Sequence, residues 1–415
     1  MTTLVRALVL ATLINTAFAT DWPQFRGPTH QGHSTDRNIP TEWGPDKNVA
    51  WKTEIPGGGW SSPSVVQGKV YLTTAIKEGD GLSLRALCLN AATGKILWNT
   101  EVFGPAEAQA SYIHNKNSHA SPTPLIENGK VYVHFGHQGT ACLDTSGKVL
   151  WRQNKLRYPP VHGSGGSPVL VDGKLVYSAD GGSDPFIVAL DQNTGEVAWK
   201  VPRNTDAKSK FSFTTPLVIE VNGQTQIISP GSGVVSALNP KDGSEIWRAR
   251  YGEGYSVIPR PVYGHGLLFI GTGYDRPTVL AVKADGKGDV TDTHIAWTLT
   301  RSAPNTPSML LIGDELYMVS DAGIASCVDA KTGKVHWQER IGGNFSASPV
   351  FAEGRIYFQN EEGVGTVIKV GKTFEKIATN DLKERTLSSY AIADSAIYIR
   401  TAERLYKVGD RGIVF

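Results

Sequence analysis

The sequence predicts an all-β fold, an eight-bladed β-propeller of four-stranded antiparallel blades whose last blade is closed by an N-terminal strand. Three observations lead there. A turn-and-tryptophan phrase recurs, as NAATGKILW (90–98), DTSGKVLW (144–151), DQNTGEVAW (191–199), NPKDGSEIW (239–247) and DAKTGKVHW (329–337). Ahead of each copy stand an apolar run, a Gly turn and a Val/Ile/Tyr strand, as in SPVLVDGKLVYSAD (167–180) and SPVFAEGRIYFQN (348–360). Finally, 45 Gly, 23 Pro and only 19% charged residues in 415 suit short strands joined by turns better than a helical protein.

Residues 1–19 read as an export signal: Arg6 gives a thin positive start, Ala7–Phe18 the apolar centre and Ala17-Phe18-Ala19 an A-x-A cleavage site. Thr12, Asn15 and Thr16 interrupt an apolar stretch already too short to span a bilayer. A periplasmic or secreted protein, without a transmembrane segment after signal removal, is the expectation. Residues 20–47 are rich in Pro, Gly and polar groups, with Trp22, Phe25 and Trp43 spaced among them. Those aromatics imply a strap packed on the ring, which itself occupies 48–415.

Each repeat unit resolves into strand A, a tight turn, strand B, a variable loop, strand C, the recurring phrase and strand D. The phrase explains itself physically. Its first Asp or Asn hydrogen-bonds backbone groups two residues on, and the Gly supplies a positive φ for the hairpin. The Trp on strand D needs a neighbour to cover it, because a ring that size buries about 150–250 Å². Stacked four-stranded units of 40–50 residues are the propeller pattern. Trp51, Trp98, Trp151, Trp199, Trp247, Trp297 and Trp337 are therefore the expected docking residues between blades. The seventh unit has no Trp, and Phe374 in KTFEKIA is its expected substitute. The eighth, SSYAIADSAIYIRTAERLYKVG (388–409), ends after three strands, and NVAWKTEI (48–55) supplies the fourth. Closing the ring this way removes an exposed sheet edge.

Cys88, Cys142 and Cys327 each stand two residues before the phrase's Asp or Asn, where other units have Ala189 and Ala237. They read as small buried residues rather than as a disulfide, metal or redox set.

Chemistry is harder to find. A net charge of +2 with no run of Lys or Arg excludes a phosphate-backbone binder, so no nucleic-acid partner is expected. The Gly-rich stretches PGGGWSSP (56–63), HGSGGSP (162–168), SPGSGVV (229–235) and GTGYDRP (271–277) lead into strands, whereas a phosphate cradle needs a helix behind it. No G-x-S-x-G, H-E-x-x-H or Walker lysine occurs, and no catalytic residue is assigned. His114, His119, His134 and His137 flank the first two strands of the second unit. Zinc or copper ligation is their sharper reading and scattered surface histidines the ordinary one. Asp285, Asp289 and Asp292 sit in the insertion DGKGDVTDTH (285–294). Their spacing departs from the twelve-residue calcium loop, which leaves a solvated hairpin extension, and no metal site is assigned. The loops leading into strand A converge on one mouth of a propeller. They offer Trp60, Asn117, His119, His162, Lys210, Arg260, Arg301, Asn305, Asn344 and Arg385 as candidate ligand-binding residues, whose cations suit an anionic ligand. The plainer alternative is that Ser or Thr before Pro only shapes the start of the innermost strand.

Asp/Asn-x-x-Thr-Gly-Lys/Glu-x-x-Trp on repeated four-stranded units resembles the PQQ-like, or tryptophan-docking, propeller repeat. Two groups share that repeat: the quinoprotein alcohol dehydrogenases and the outer-membrane protein assembly factor B lipoproteins. DWPQFRGP, PGGGWSSP and GKGDVTDTHIAW also resemble secreted PQQ-like propellers of planctomycete-type bacteria. The dehydrogenases imply PQQ with calcium, held beside adjacent cysteines and a Glu/Asn/Asp set. Here no two cysteines are neighbours, no stretch matches the calcium set, and there is no C-x-x-C-H haem motif. The assembly factors imply a lipidated Cys after the signal, and this chain has Thr20 and Asp21 there. The resemblance thus implies an exported, non-enzymatic scaffold presenting loops to an envelope or outer-membrane protein or a polymer, as a monomer without cofactor. A reduced PQQ-dependent dehydrogenase is the first alternative, and a polysaccharide-binding or -cleaving propeller the second.

Overall fold

The computed structural model describes residues 20–409; the signal-peptide reading of 1–19 lies outside the described residues. Eight sheets form the ring. Blades 1 to 7 span 64–103, 125–153, 169–202, 217–250, 262–299, 310–340 and 350–381, and blade 8 spans 391–408. Within each the order is A-B-C-D, antiparallel, with a three- to five-residue strand A innermost. Blade 8 takes its outer strand, Val49–Glu54, from the other end of the chain, with Trp51 opposite Lys407 and Thr53 opposite Leu405. The expected ring closure is what the fold shows.

The phrase works between blades more than within one. Each indole Nε1–H donates to the turn carbonyl of the next blade. Trp51 reaches Ala91 at 3.0 Å, Trp98 reaches Thr145 at 3.1 Å, Trp151 reaches Gln192 at 3.1 Å and Trp199 reaches Pro240 at 3.0 Å. Trp247 reaches Ala284 at 3.1 Å, Trp297 reaches Ala330 at 3.0 Å and Trp337 reaches Gly371 at 3.0 Å. The phrase's Gly lies flat under the preceding blade's indole. A Cβ on Gly195 (φ +73) would sit 2.5 Å from the Trp151 ring, and one on Gly243 2.7 Å from Trp199. So this glycine meets two demands, a left-handed backbone and a face without a side chain. The turn itself is held as expected, with Asp191 Oδ1 accepting from the N–H groups of Asn193 and Thr194 at 2.8 and 3.0 Å.

In blades 1 to 6 a β-bulge follows the small residue opposite the Trp. Cys88 pairs with Trp98, Cys142 with Trp151, Ala189 with Trp199 and Cys327 with Trp337, and the register shifts at the next residue. The small side chain leaves room for the indole, and all three cysteines are free and buried.

Blade 7 departs from the expectation. Phe374 does not replace the missing Trp; it lies in the turn before strand D and packs edge-on against Trp337 at 5.1 Å. The strand-D position opposite Val367 is Ala378. In blades 1, 2, 5, 6 and 8 a strand-B Tyr or Phe packs on the blade's own Trp, as Tyr132 does on Trp151 at 6.3 Å. In blade 7 the equivalent Tyr357 packs on Trp43 of the N-terminal segment, at 6.4 Å, and Trp43 also meets Tyr390 of blade 8 edge-on at 6.1 Å. Asn380 holds that segment by accepting from Trp43 N–H and donating to Thr41 O, both at 2.9 Å. An indole from outside the repeats fills the one undocked junction.

The insertion also differs from a solvated hairpin. Gly288–Asp289 adds a fifth, parallel strand to the outer edge of blade 4 beside Trp247 and Arg248. Val290 is buried behind it, and Thr291–His294 forms a one-turn helix. Asp289 caps Thr291 N–H at 3.1 Å, while Asp285 lies 3.7 Å from His294. Asp285 and Asp289 serve local structure, and Val290 is buried rather than solvated.

Candidate functional site

The site is the mouth of the central channel on the side of the loops that lead into strand A. Its opposite end is closed by the N-terminal segment. Trp22 bridges to Val65, Pro23 O accepts from Ile126 N–H, and Gly32 and Ser34 bond Phe351. The segment thereby crosses from blades 1 and 2 to blade 7. Arg26, buried among it, donates to Pro349 O at 2.8 Å, to Gln31 O at 2.7 Å and to Met309 O. Phe25 of this segment reaches the cavity above.

A hydroxyl girdle surrounds the channel. The backbone N–H of each girdle residue donates to the hydroxyl of the next blade. Ser62 bonds Thr123 at 3.1 Å, Thr123 bonds Ser167 at 2.9 Å and Ser167 bonds Thr215 at 2.9 Å. Further round, Arg260 bonds Ser308 at 3.0 Å, Ser308 bonds Ser348 at 3.0 Å, Ser348 bonds Ser389 at 2.9 Å and Ser389 returns to Ser62 at 3.1 Å. Only blade 5 has no hydroxyl, because Arg260 stands there; its Nε closes the gap by donating to Pro216 O at 3.0 Å. Ser or Thr before Pro is thus an interblade fastener as well as the start of strand A.

Above the girdle lies a cavity of about 240 Å³. One side is aromatic. The rings of His114 and His162 stand 5.2 Å apart, His162 meets Phe211 edge-on at 5.2 Å, Phe211 meets Tyr255 at 5.4 Å, and Tyr255 stacks on Tyr274 at 6.5 Å. Trp60 lines the same cavity, with the Arg385 guanidinium 5.5 Å over its ring. Residues 104–124, which join blades 1 and 2, form an arm across the mouth. Lys116 Nζ reaches Glu361 of the blade 7 loop at 2.8 Å, and Arg385 donates to Asn115 O at 2.9 Å. Burial works against the Lys116 charge, yet Glu361 beside it holds the ammonium above the ordinary lysine value.

Of the residues singled out from sequence, Trp60, Asn117 and His162 line the cavity and Arg385 leans over it. Arg260 points away, buried under the floor, with Nη1 donating to Phe25 O at 2.7 Å. His119, Lys210, Arg301, Asn305 and Asn344 are not in the lining. Lys116, Phe213, Tyr255, Tyr274 and the girdle hydroxyls are there and were not singled out. The girdle had a sequence signal, Ser or Thr before Pro in register at most blade starts; Lys116 had none.

The histidines do not assemble a metal site. His134 is buried, its Nδ1 paired with Thr140 Oγ1 at 2.8 Å and its ring 4.3 Å from Tyr177. His137 pairs with Gln138 at 3.0 Å, and His114 faces His162. Among the described residues, no three His, Cys, Asp or Glu side chains gather as metal ligands. Burial pulls His30 and His134 down to about 3 and His33 and His137 to about 4. These stay neutral in the fold, while the unfolded chain takes up protons below about pH 6.5. Stability is therefore complete above that pH and falls as pH drops toward 4, by up to roughly 1.4 kcal/mol per pH unit for each histidine. The urea midpoint should drop clearly from pH 7 to pH 5; an equal midpoint at both would contradict these burials.

The PQQ-like resemblance implies a quinone with calcium, and the donors do not fit it. The cavity lining holds no carboxylate and no thiol among the described residues. The three cysteines lie between blades, opposite Trp98, Trp151 and Trp337.

A family model described as outer membrane protein assembly factor BamB matches residues 88–339 and 307–401. The dehydrogenase subunit of a quinone-dependent alcohol dehydrogenase from Komagataeibacter europaeus is 26% identical over 256 residues, 58% of this chain and 31% of that one. The outer membrane protein assembly factor BamB of Shewanella oneidensis is 24% identical over 246 residues, 52% of this chain and 56% of that one. This chain thus spans under a third of that dehydrogenase and little more than half of that assembly factor. Among solved structures, BamB from Moraxella catarrhalis gives a TM-score of 0.57 at 14% identity, covering 88% of this chain and 99% of that chain. A europium-containing methanol dehydrogenase gives 0.66 at 12% identity, covering 91% and 89%. At such identities these two likenesses show the fold alone. With the family model matching well over half of its residues, the chain belongs to the family described as outer membrane protein assembly factor BamB, a propeller of PQQ-like repeats.

Proposed function

We propose that this chain is an exported, non-enzymatic scaffold that offers the arm-side mouth of a rigid ring to a protein or polymer of the cell envelope. The observation that carries the reading is the arm at 104–124. It is tied across the mouth by Lys116–Glu361 and Arg385–Asn115, and it lifts Tyr112, 76% exposed, into solvent. Loops held by a stiff scaffold are where binding residues concentrate, and an exposed aromatic is the commonest anchor of an interface. The chemistry of the mouth agrees. Among the described residues its two histidines have no carboxylate partner, and its girdle hydroxyls accept backbone N–H groups rather than facing a base. A nucleophile needs that facing base. Among the described residues no helix is long and apolar enough to cross a membrane. Function follows from the site rather than the fold, so the family's dehydrogenase relatives leave one alternative to test.

A photoreactive residue at position 112 should crosslink to an envelope component in intact cells, while one at position 377 on the outer rim should not. Equal capture from both positions would contradict the reading. Dye-linked alcohol oxidation after adding PQQ and calcium would replace it with the dehydrogenase.

A further inference from the structure

We infer that the mouth is an anion site: the cavity takes the oxyanion of a ligand, a carboxylate or a phosphate group, between Lys116 and the girdle hydroxyls. This rests on the mouth being the binding end and names the chemistry it accepts. The first support is an excess of donors. The hydroxyls of Ser62, Thr123, Ser167, Thr215, Ser308, Ser348 and Ser389 each accept one backbone N–H. None donates to an acceptor of the protein among the described residues, and all seven line the cavity. A hydroxyl whose oxygen already accepts is polarised into a better donor.

The second support is buried charge. Arg26, Arg260 and Arg400 are at most 2% exposed, and none has a carboxylate partner among the described residues. Their partners are chiefly carbonyls next to the girdle. Arg26 holds Met309 O and Pro349 O, beside Ser308 and Ser348. Arg260 holds Phe25 O in the cavity floor, and Arg400 donates to Thr73 O at 2.7 Å and to Ser61 Oγ at 2.5 Å, beside Ser62. Burial lowers each guanidinium only to about 9, so all three remain charged at neutral pH. A cation left without a counter-charge in a low dielectric acts over a longer range than one in water.

The third support is the gate. Two carboxylates at the rim, Asp321 and Glu361, are already occupied. Asp321 accepts from the N–H groups of Asn305 and Thr306 at 2.9 and 3.0 Å and from Thr306 Oγ1 at 2.7 Å. Glu361 accepts from Ser346 Oγ at 2.7 Å and from Lys116. Glu361 thus occupies Lys116 Nζ from the rim, and the ligand's oxyanion displaces it from that ammonium.

Titration calorimetry on the full chain, at fixed ionic strength set by chloride, tests this with inorganic phosphate and with succinate as separate probes. Heat with phosphate alone identifies a phosphate-bearing ligand, and heat with succinate alone a carboxylate. Lys116→Met should weaken binding about tenfold, and Glu361→Gln, by removing the competitor, should tighten it roughly threefold. Both variants should keep the wild-type melting curve. No heat with either anion, or affinities unmoved by both substitutions, overturns the site. Crosslinking from position 112 without anion binding would sink this inference and leave the scaffold standing; anion binding without crosslinking would do the reverse.

Discussion

Replacing Trp247 with Ala is expected to lower the stability of the ring by about 3–5 kcal/mol, the range for deleting a fully enclosed large aromatic. Trp247 is 0% exposed, because the fifth strand at Gly288–Asp289 and the buried Val290 cover the face that neighbouring blades leave partly open. Its Nε1–H donates to both Gln226 Oε1 at 3.0 Å and Ala284 O at 3.1 Å. Truncation therefore opens a cavity and strands two buried acceptors, each costing further free energy. Trp51 makes a single bond from a half-buried position, so Trp51→Ala should cost clearly less. Urea midpoints of the two variants decide it. A Trp247→Ala midpoint no lower than that of Trp51→Ala would contradict the role given to the insertion.

Gly195→Ala should destabilise far more than Gly173→Ala, although both glycines lie in blade 3 with nearly the same φ, +73 and +72. The left-handed backbone alone costs an alanine about 1–2 kcal/mol at either position. At Gly173 nothing lies within 4 Å of the added Cβ, whereas at Gly195 it meets Trp151 at 2.5 Å. The indole is pinned by its bond to Gln192 O, so it cannot withdraw cheaply. Overpacking of that kind adds roughly 1–3 kcal/mol. Equal melting temperatures for the two variants would mean that the glycine serves only its turn.

The ring was legible because its signals are local and repeated. Asp, Gly and Trp in one phrase report a turn, a backbone conformation and a large ring needing cover, and five copies with seven spaced Trp residues fix the blade period. The two ends could be joined because one held three strands and the other a spare. What stayed hidden depends on contacts between distant residues. Trp43 fills the blade 7 junction although 337 positions separate it from Asn380, which holds it. Phe374 stands near the right place in sequence, but it falls in the turn ahead of strand D, and Ala378 takes the position opposite Val367. At the mouth, Arg260 occupies a girdle position, and its length carries the guanidinium down to Phe25 rather than up to solvent. Lys116 became visible only when the arm was seen to cross to Glu361.

The indole of one blade rests on the glycine of the next, and a double-mutant cycle on Trp151 and Gly195 measures that contact. Trp151→Leu removes the ring that the added Cβ would strike, so Gly195→Ala in that background should cost no more than Gly173→Ala, a coupling of about 1–3 kcal/mol. Strictly additive losses would show that the two residues do not meet, and the interblade account would fail.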